Sequence, residues 1–170
     1  VKNQFLHAFS AEKITGTLTC DGKVFWIIIH DREQNAFYAY KIYNDVLDPD
    51  PVVSFVGQPP GNGHQKITYI LRHMKQSPDG TKIIMSDGDR GAELFRFNRK
   101  TGQVTDPISL PTPNAPANPT PYPVMYGMSF SPNSKVLYIF GESTRSKIYR
   151  LYQYDVSVHR REYIIASQYT

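Results

Sequence analysis

The stretch SPDGTKIIMSDGDRGAELFRFNRKTG, Ser77 to Gly102, decides the fold. Ser77-Pro78-Asp79-Gly80 is a tight turn, in which Pro78 presets its own φ and Gly80 is free to take a positive one. Lys82 to Ser86 is a short apolar run suited to a buried strand. Asp87 to Gly91 is a polar connection. Within Glu93 to Asn98, Leu94 and Arg96 fall on one face and Phe95 and Phe97 on the other, the two-residue period of a strand. Lys100-Thr101-Gly102 turns the chain again. The unit is turn, strand, loop, strand, turn.

The same unit recurs on either side. TCDGKVFWIIIHD, SPDGTKIIMSDGD and SPNSKVLYIFGES begin at Thr19, Ser77 and Ser131, and the strand cores YAYKI, LFRFN and LYQYD follow at matching distances. In front of the first turn, Ile14, Gly16, Leu18 and Cys20 alternate with threonines. Asp21-Gly22 is a hairpin signal. Lys23 to Asp31 is almost continuously apolar, as expected of a strand covered on both faces. Ala36 to Tyr43 and Pro51 to Gly57 complete four strands. Tyr69 to Gln76 and Val104 to Leu110 flank the second unit. The third has Val124 to Ser131, Val136 to Gly141, Lys147 to Tyr154 and Glu162 to Ser167 as its strands.

Four-strand units at a nearly fixed period are the signature of β-propeller blades. The expected fold is therefore all-β: a partial β-propeller of three four-stranded antiparallel blades plus one extra N-terminal strand. Blade one spans 10–58, blade two 66–110 and blade three 124–168. Residues 1–9 are expected as the outer strand of a preceding blade, and the proline-rich 111–123 as an extended linker. Propellers close with four to eight blades. The ring is therefore expected to need the remaining blades of the same chain or further chains.

Composition narrows the classes. At 170 residues the chain is long enough for a single core. Twelve Tyr, nine Phe and thirteen Pro, with few helix-length patterns, favour strands and turns. No apolar run approaches the roughly 20 residues of a membrane-spanning helix. No charged-then-apolar leader follows Val1, so a signal peptide is expected to be absent or already removed. Cys20 is the only cysteine, which excludes an intrachain disulfide and argues against a cysteine metal site. The formal charge of +4 favours anionic surfaces only weakly.

A family resemblance enters through the third unit. YGMSFSPNSKVLYIFGESTRSKIYRLYQYDVS (Tyr126 to Ser157) resembles a blade of the gliding-motility-associated, type IX-secreted large proteins of the Bacteroidota, whose N-terminal region is a YVTN/WD40-like propeller. Lys23 to Ile42 with Pro51 to Gly57 is similar to the blade before it. Ser77 to Ile83 with Glu93 to Leu110 is similar to the blade between. The resemblance implies a binding or structural propeller module of a large exported or cell-surface protein. It implies an extracellular or outer-face location, with the periplasm as the alternative, and no catalytic motif. Those relatives carry further blades, other β-domains and a C-terminal sorting domain beyond the stretches matched here, so type IX export is not among the expectations that the matched residues carry by themselves.

Candidate chemistry is sparse. His7, His30, His64, His73 and His159 show no metal spacing, and no serine has a nucleophile-elbow context. His30-Asp31 has the look of half an orienting pair, but a histidine closing a hydrogen bond within its blade is the plainer reading. Asp87-Gly88-Asp89 departs from a calcium loop, because Asn98 stands where the twelfth-position glutamate would be. It reads as a turn, as does Asp48-Pro49-Asp50. Arg145, Lys147, Arg150, Arg160 and Arg161, interleaved with Tyr149, Tyr152 and Tyr154, have the composition of a polyanion contact. Strand alternation splits them between faces, so nucleic acid is not the expected partner.

Recognition in such folds sits on loops at the ends of the channel. Equivalent loops place Asp31, Arg32, Asp87, Asp89, Arg90, Glu142 and Arg145 as candidate binding residues for a protein or glycan ligand. No catalytic residue, metal or other cofactor is implied. The alternative is a lactonase-like or other propeller hydrolase, which requires Asp31, Glu93 or His30 from different blades to converge at the channel.

Overall fold

The computed structural model describes residues 3–58, 73–86, 91–110, 125–143 and 148–169. Their chain is almost all β, a partial β-propeller of three antiparallel sheets. The first sheet contains β1 (Ser10–Leu18), β2 (Val24–Asp31), β3 (Ala36–Tyr43), β4 (Val46–Leu47) and β5 (Val52–Phe55). The second runs in order through β6 (Met74–Gln76), β7 (Lys82–Ser86), β8 (Ala92–Phe97) and β9 (Val104–Leu110). The third holds β10 (Met125–Phe130), β11 (Val136–Ser143) and β12 (Ile148–Asp155), followed by a short helix α1 (Arg161–Ala166).

The repeated turns are chemically equivalent. The Thr19, Ser77 and Ser131 hydroxyls donate to the side chains of Asp21, Asp79 and Asn133 at 2.6, 2.6 and 2.7 Å. Each hydroxyl also accepts the amide that opens the next strand, from Val24, Lys82 and Val136. Such side-chain-to-backbone bonds hold a turn without any ladder partner. They also join blades, since the Asp79 amide donates to the Ser134 hydroxyl at 2.9 Å.

Alternation along the middle sheet explains how the blades stack. Ile83, Met85, Phe95, Phe97 and Val104 point to one side and form a core with Trp26, Ile28, Phe37 and Ala39 of the first blade. Ile84, Leu94, Ile108 and Leu110 point to the other side and meet Met128, Phe130, Leu137, Ile139, Tyr152 and Tyr154 of the third. A strand covered on both faces must be apolar at consecutive positions, as β7 and β8 are. Hydrogen bonds cross the seams as well. The Val104 amide donates to the Ser54 hydroxyl at 3.0 Å, and Trp26 Nε1 donates to the Arg99 carbonyl at 2.8 Å.

Three details differ from the sequence expectation. The described residues 3–9 contain no strand. They lie instead over the outer face of the first blade, where Tyr40 donates its hydroxyl to the Leu6 carbonyl and His7 packs on Tyr38 at 4.2 Å between ring centroids. The fourth strand of blade one is split. Ile42 and Tyr43 pair with β4, and Ala36 to Ala39 with β5, around a turn whose Asn44 and Asp45 both have positive φ. In blade three, the expected strand Glu162 to Ser167 falls largely in α1. Ile164 of this helix is fully buried in the core shared with blade two. The fourth position of that sheet is marked only by a bridge between Gln153 and Tyr169. The linker expected at 111–123 lies outside the described residues.

Gly102 is where backbone and packing demands coincide. Its φ is +78°, and a Cβ there would sit 2.7 Å from the Trp26 indole. Gly102→Ala is expected to destabilise by about 1–2 kcal/mol for the left-handed backbone and by roughly 1–3 kcal/mol more for overpacking against the ring. A urea-midpoint shift with unchanged slope measures it. A change below about 0.5 kcal/mol would mean that Trp26 does not rest on this turn.

Candidate functional site

The loop between β2 and β3 is the part of the expected binding end that is described in full. Asp31 is completely buried. Its carboxylate accepts the amides of Glu33 at 2.5 Å and Gln34 at 3.0 Å and pairs with His7 Nε2 at 2.6 Å. This is a loop-closing role built by the residue's own connection. Arg32 is half-buried, with its guanidinium 5.5 Å above the Phe9 ring and Nε 3.4 Å from Glu33. Glu142 pairs through its backbone with Tyr149 across β11 and β12. Asp87, Asp89, Arg90 and Arg145 lie outside the described residues.

Behind that loop, a polar seam runs between blades one and two. Lys13, His30, Ser86 and Glu93 are each at most 1% exposed. Burying an ammonium is costly without partners, and Lys13 Nζ donates to the Ser86 carbonyl at 3.3 Å. Glu93 accepts the Gln58 amide at 3.0 Å and the Ser109 hydroxyl at 3.4 Å. His30 stacks edge-on against Phe37 at 4.6 Å, and Phe37 in turn against Phe95 at 4.8 Å. The Asp31 carbonyl lies 2.6 Å from His30 Nδ1 and can only accept, so Nδ1 carries the proton. Burial first, then the Lys13 charge, pushes the His30 pKa down to about 3. The imidazole is neutral at neutral pH.

His30 and Asp31 are adjacent in one strand, so their side chains leave opposite faces. His30 enters the seam with blade two, while Asp31 meets His7 on the outer face. Glu93 shares the seam with His30 and is held by the Gln58 amide in the chain that follows β5. Asp31 is thus separated by β2 from His30 and Glu93, which share the seam side. The sequence pointed to His30 and Asp31. It gave no sign of Lys13, whose long side chain sits in an ordinary alternating strand.

The basic and aromatic cluster near the C-terminal end is also divided. Tyr152 and Tyr154 are core residues, whereas Tyr149 stacks on Phe140 at 5.6 Å on the outer face of blade three. Among the described residues, no group of three or more His, Cys, Asp or Glu is placed to hold a metal ion. No helix among them is long and apolar enough to cross a membrane.

No protein-family model and no curated protein matches the chain. Solved structures do. Hydrazine synthase of Kuenenia stuttgartiensis is similar over 88% of this chain and 35% of its own, with a TM-score of 0.51 and 15% identity. A candidate 6-phosphogluconolactonase of Bacteroides fragilis is similar over 81% of this chain and 36% of its own, with a TM-score of 0.42 and 16% identity. KlHsv2 with its loop 6CD replaced by a Gly-Ser linker is similar over 81% and 43%, with a TM-score of 0.36 and 14% identity. The chain therefore spans less than half the length of each. At 15% identity the likeness to hydrazine synthase is one of fold.

Proposed function

We propose that this chain is part of a propeller that acts as a non-enzymatic binding or scaffolding module of a large exported protein, of the gliding-motility-associated, type IX-secreted kind. Its ligand is a protein or glycan, and its place is the bacterial outer face, with the periplasm as the alternative. The observation that carries this reading is the locking of His30 and Asp31. Both are consumed in holding a loop and a seam, on opposite faces of β2. A rigid scaffold with its polar groups tied up leaves recognition to the loops it presents.

The outer faces of the two flanking blades support the proposed partners in ring closure. Ile14, Leu18, Phe25, Val53 and Phe55 are exposed on blade one, and Phe140, Tyr149 and Leu151 on blade three. Contiguous exposed apolar side chains mark surfaces that another element covers. Further blades, of this chain or of others, are the cover this reading assigns to them.

The test is binding of the natural full-length protein to arrayed glycans and to the surface proteins of its own cell. It is repeated after joint alanine replacement of Arg32, Asp87, Asp89, Arg90 and Arg145, with Asp31 left intact because it closes its own loop. At least one interaction is expected to weaken about tenfold or more. Retention of every interaction by the five-fold variant, or hydrolysis of any lactone or ester offered, overturns the reading.

A further inference from the structure

The seam between blades one and two is built by two turns, and its two halves recur at the ends of the stack. In blade one, Thr17 and Trp26 pair across β1 and β2. Both face blade two. A Cβ on Gly80, the last residue of the blade-two turn, would sit 2.3 Å from Thr17 Oγ1. Trp26 rests on Gly102 and donates from Nε1 to the Arg99 carbonyl, in the turn between β8 and β9. One blade thus offers a hydroxyl and an aromatic donor, and the next receives them on two turns.

The receiving half recurs on the outer face of blade one. Gly22 is the counterpart of Gly80, with a φ of +69° against +70°. Among the described residues, nothing lies within 4 Å of where its Cβ would be. Beside it, Leu18, Phe25, Ile42, Tyr43 and Asn44 line a cleft of about 530 Å³. Ile42 and Tyr43 lead into the turn between β3 and β4, which holds the place in blade one that the Trp26-bearing turn holds in blade two. Residues 3–9 contact Asp31, Tyr38 and Tyr40, and none of them lines the cleft.

The offering half recurs on the outer face of blade three. Ser129 and Tyr138 pair across β10 and β11 and stand about the Ser131 turn as Thr17 and Trp26 stand about the Thr19 turn. The local bond is kept as well. The Thr17 hydroxyl donates to the Leu18 carbonyl at 3.4 Å, and the Ser129 hydroxyl to the Phe130 carbonyl at 3.5 Å. Ser129 is exposed and Tyr138 half-buried. Phe140, Tyr149 and Leu151 continue the same face as exposed apolar side chains. The phenol of Tyr138 is an aromatic donor at the place where blade one has its indole.

We propose that these halves meet between two copies of this chain, with Tyr138 of one copy entering the cleft beside Gly22 of the other. The Tyr138 hydroxyl donates to a backbone carbonyl of the turn between β3 and β4, and Ser129 rests on Gly22. A contact between unlike surfaces either closes a ring or runs on as a filament. Two copies of three blades make a ring of six, inside the range of closed propellers, whereas three copies would make nine. The same contact then occurs twice in one dimer and covers the exposed apolar faces of blades one and three together. The proposal rests on the binding-module reading only in taking blades as the cover of these faces, and it names the second copy as their source.

The test is the solution mass of the natural full-length protein, by sedimentation over a range of concentrations. A dimer is expected. Tyr138→Asp and Phe25→Asp, one on each half of the contact, are each expected to raise its dissociation constant about tenfold or more. Because the contact is head-to-tail, an equimolar mixture of the two variants keeps one intact contact, between Tyr138 of one chain and the unaltered cleft of the other. The mixture is therefore expected to dimerise more tightly than either variant alone. Thermal unfolding checks that each variant is folded, and Tyr138→Ala with Leu18→Lys serve if either of the first pair is not. A monomer, whose faces are covered by blades of the same polypeptide or by a different protein, overturns the proposal. So do a larger assembly, a dimer indifferent to the variants, and a mixture no tighter than its parts. Each of these leaves the binding-module reading standing, which fails separately if the five-fold loop variant keeps every interaction.

Discussion

Phe95→Ala is expected to lower the stability of the protein by about 3–5 kcal/mol, the range for removing a large aromatic side chain from a packed core. Phe95 is fully buried in β8, and its ring meets that of Phe37 at 4.8 Å with an interplanar angle of 69°. His30 stacks on the other side of the same Phe37, at 4.6 Å. The Phe95 ring also closes against Gly57, where a Cβ would already be 3.0 Å away. The cavity left behind adds to the lost transfer energy wherever the surrounding side chains do not relax into it. A double-mutant cycle with Phe37→Ala should return a coupling of about 0.5–1.5 kcal/mol, the worth of an edge-to-face pair beyond its buried area.

The location of the damage is as informative as its size. Blade two buries one face against each neighbour, and stacked units of this kind gain stability from nearest-neighbour interfaces. Hydrogen exchange in Phe95→Ala should therefore rise in β2, β3, β7 and β8, with β11 and β12 much less affected. Leu94→Ala strikes the opposite face of the same strand, where Leu94 is buried with Leu137, Ile139 and Tyr154. Its cost is expected at about 2–5 kcal/mol, with the protection lost on the blade-three side. A loss under about 1 kcal/mol for Phe95→Ala, or one spread evenly over all three sheets, would mean that the seam is not the packed interface described.

What was legible in the sequence was local. The turns at Thr19, Ser77 and Ser131 are closed by residues at most five positions apart, so TCDG, SPDG and SPNS announce their geometry directly. The alternation in LFRFN likewise needs only the period of a strand to assign its two faces. What was hidden depends on distant partners. Glu162 to Ser167 is rich enough in isoleucine and tyrosine to read as a strand. Ile164 is nevertheless buried, and Ile165 packed, against a core assembled from blades two and three, and a single helical turn delivers both. Residues 3–9 follow the same logic: their position is set by Tyr38, Tyr40 and Asp31, which lie 24 or more residues away from the contacts they receive. At the candidate site, the polar loop was foreseeable, but the burial of Asp31 within it was not. A carboxylate that caps its own loop and one that faces a ligand have the same local sequence.

Acid is expected to destabilise this protein well before its carboxylates protonate, because of His30. The native-state pKa of about 3 lies below the ordinary histidine value of 6.5. Between those two pH values the unfolded chain binds a proton that the native chain does not. Stability is therefore complete above about pH 6.5 and falls as the pH drops toward 3, with a limiting slope of about 1.4 kcal/mol per pH unit. By pH 4.5 the loss is on the order of 3 kcal/mol. Asp79 acts later. Burial raises its pKa, but the Ser77 hydroxyl, the Thr81 amide and hydroxyl and the Lys82 charge outweigh that and hold it at about 2, so its contribution is lost only below about 3.8. His159, also held low, acts in the same direction as His30 and must be removed from the comparison by His159→Asn. In that background, His30→Asn keeps a donor for the Asp31 carbonyl but cannot titrate. Its stability is expected to be nearly flat from pH 6.5 to 4.5, while the parent with His30 intact falls. Lys13→Met should leave the onset of the fall near pH 6.5 but make it level off at a higher pH with a smaller total loss, since removing the adjacent ammonium raises the native-state pKa of His30 and narrows the window. Chemical denaturation at half-unit pH intervals decides the matter. A parent that is flat over this range, or a His30→Asn variant that falls as steeply, would mean that the imidazole is not buried between the first two blades.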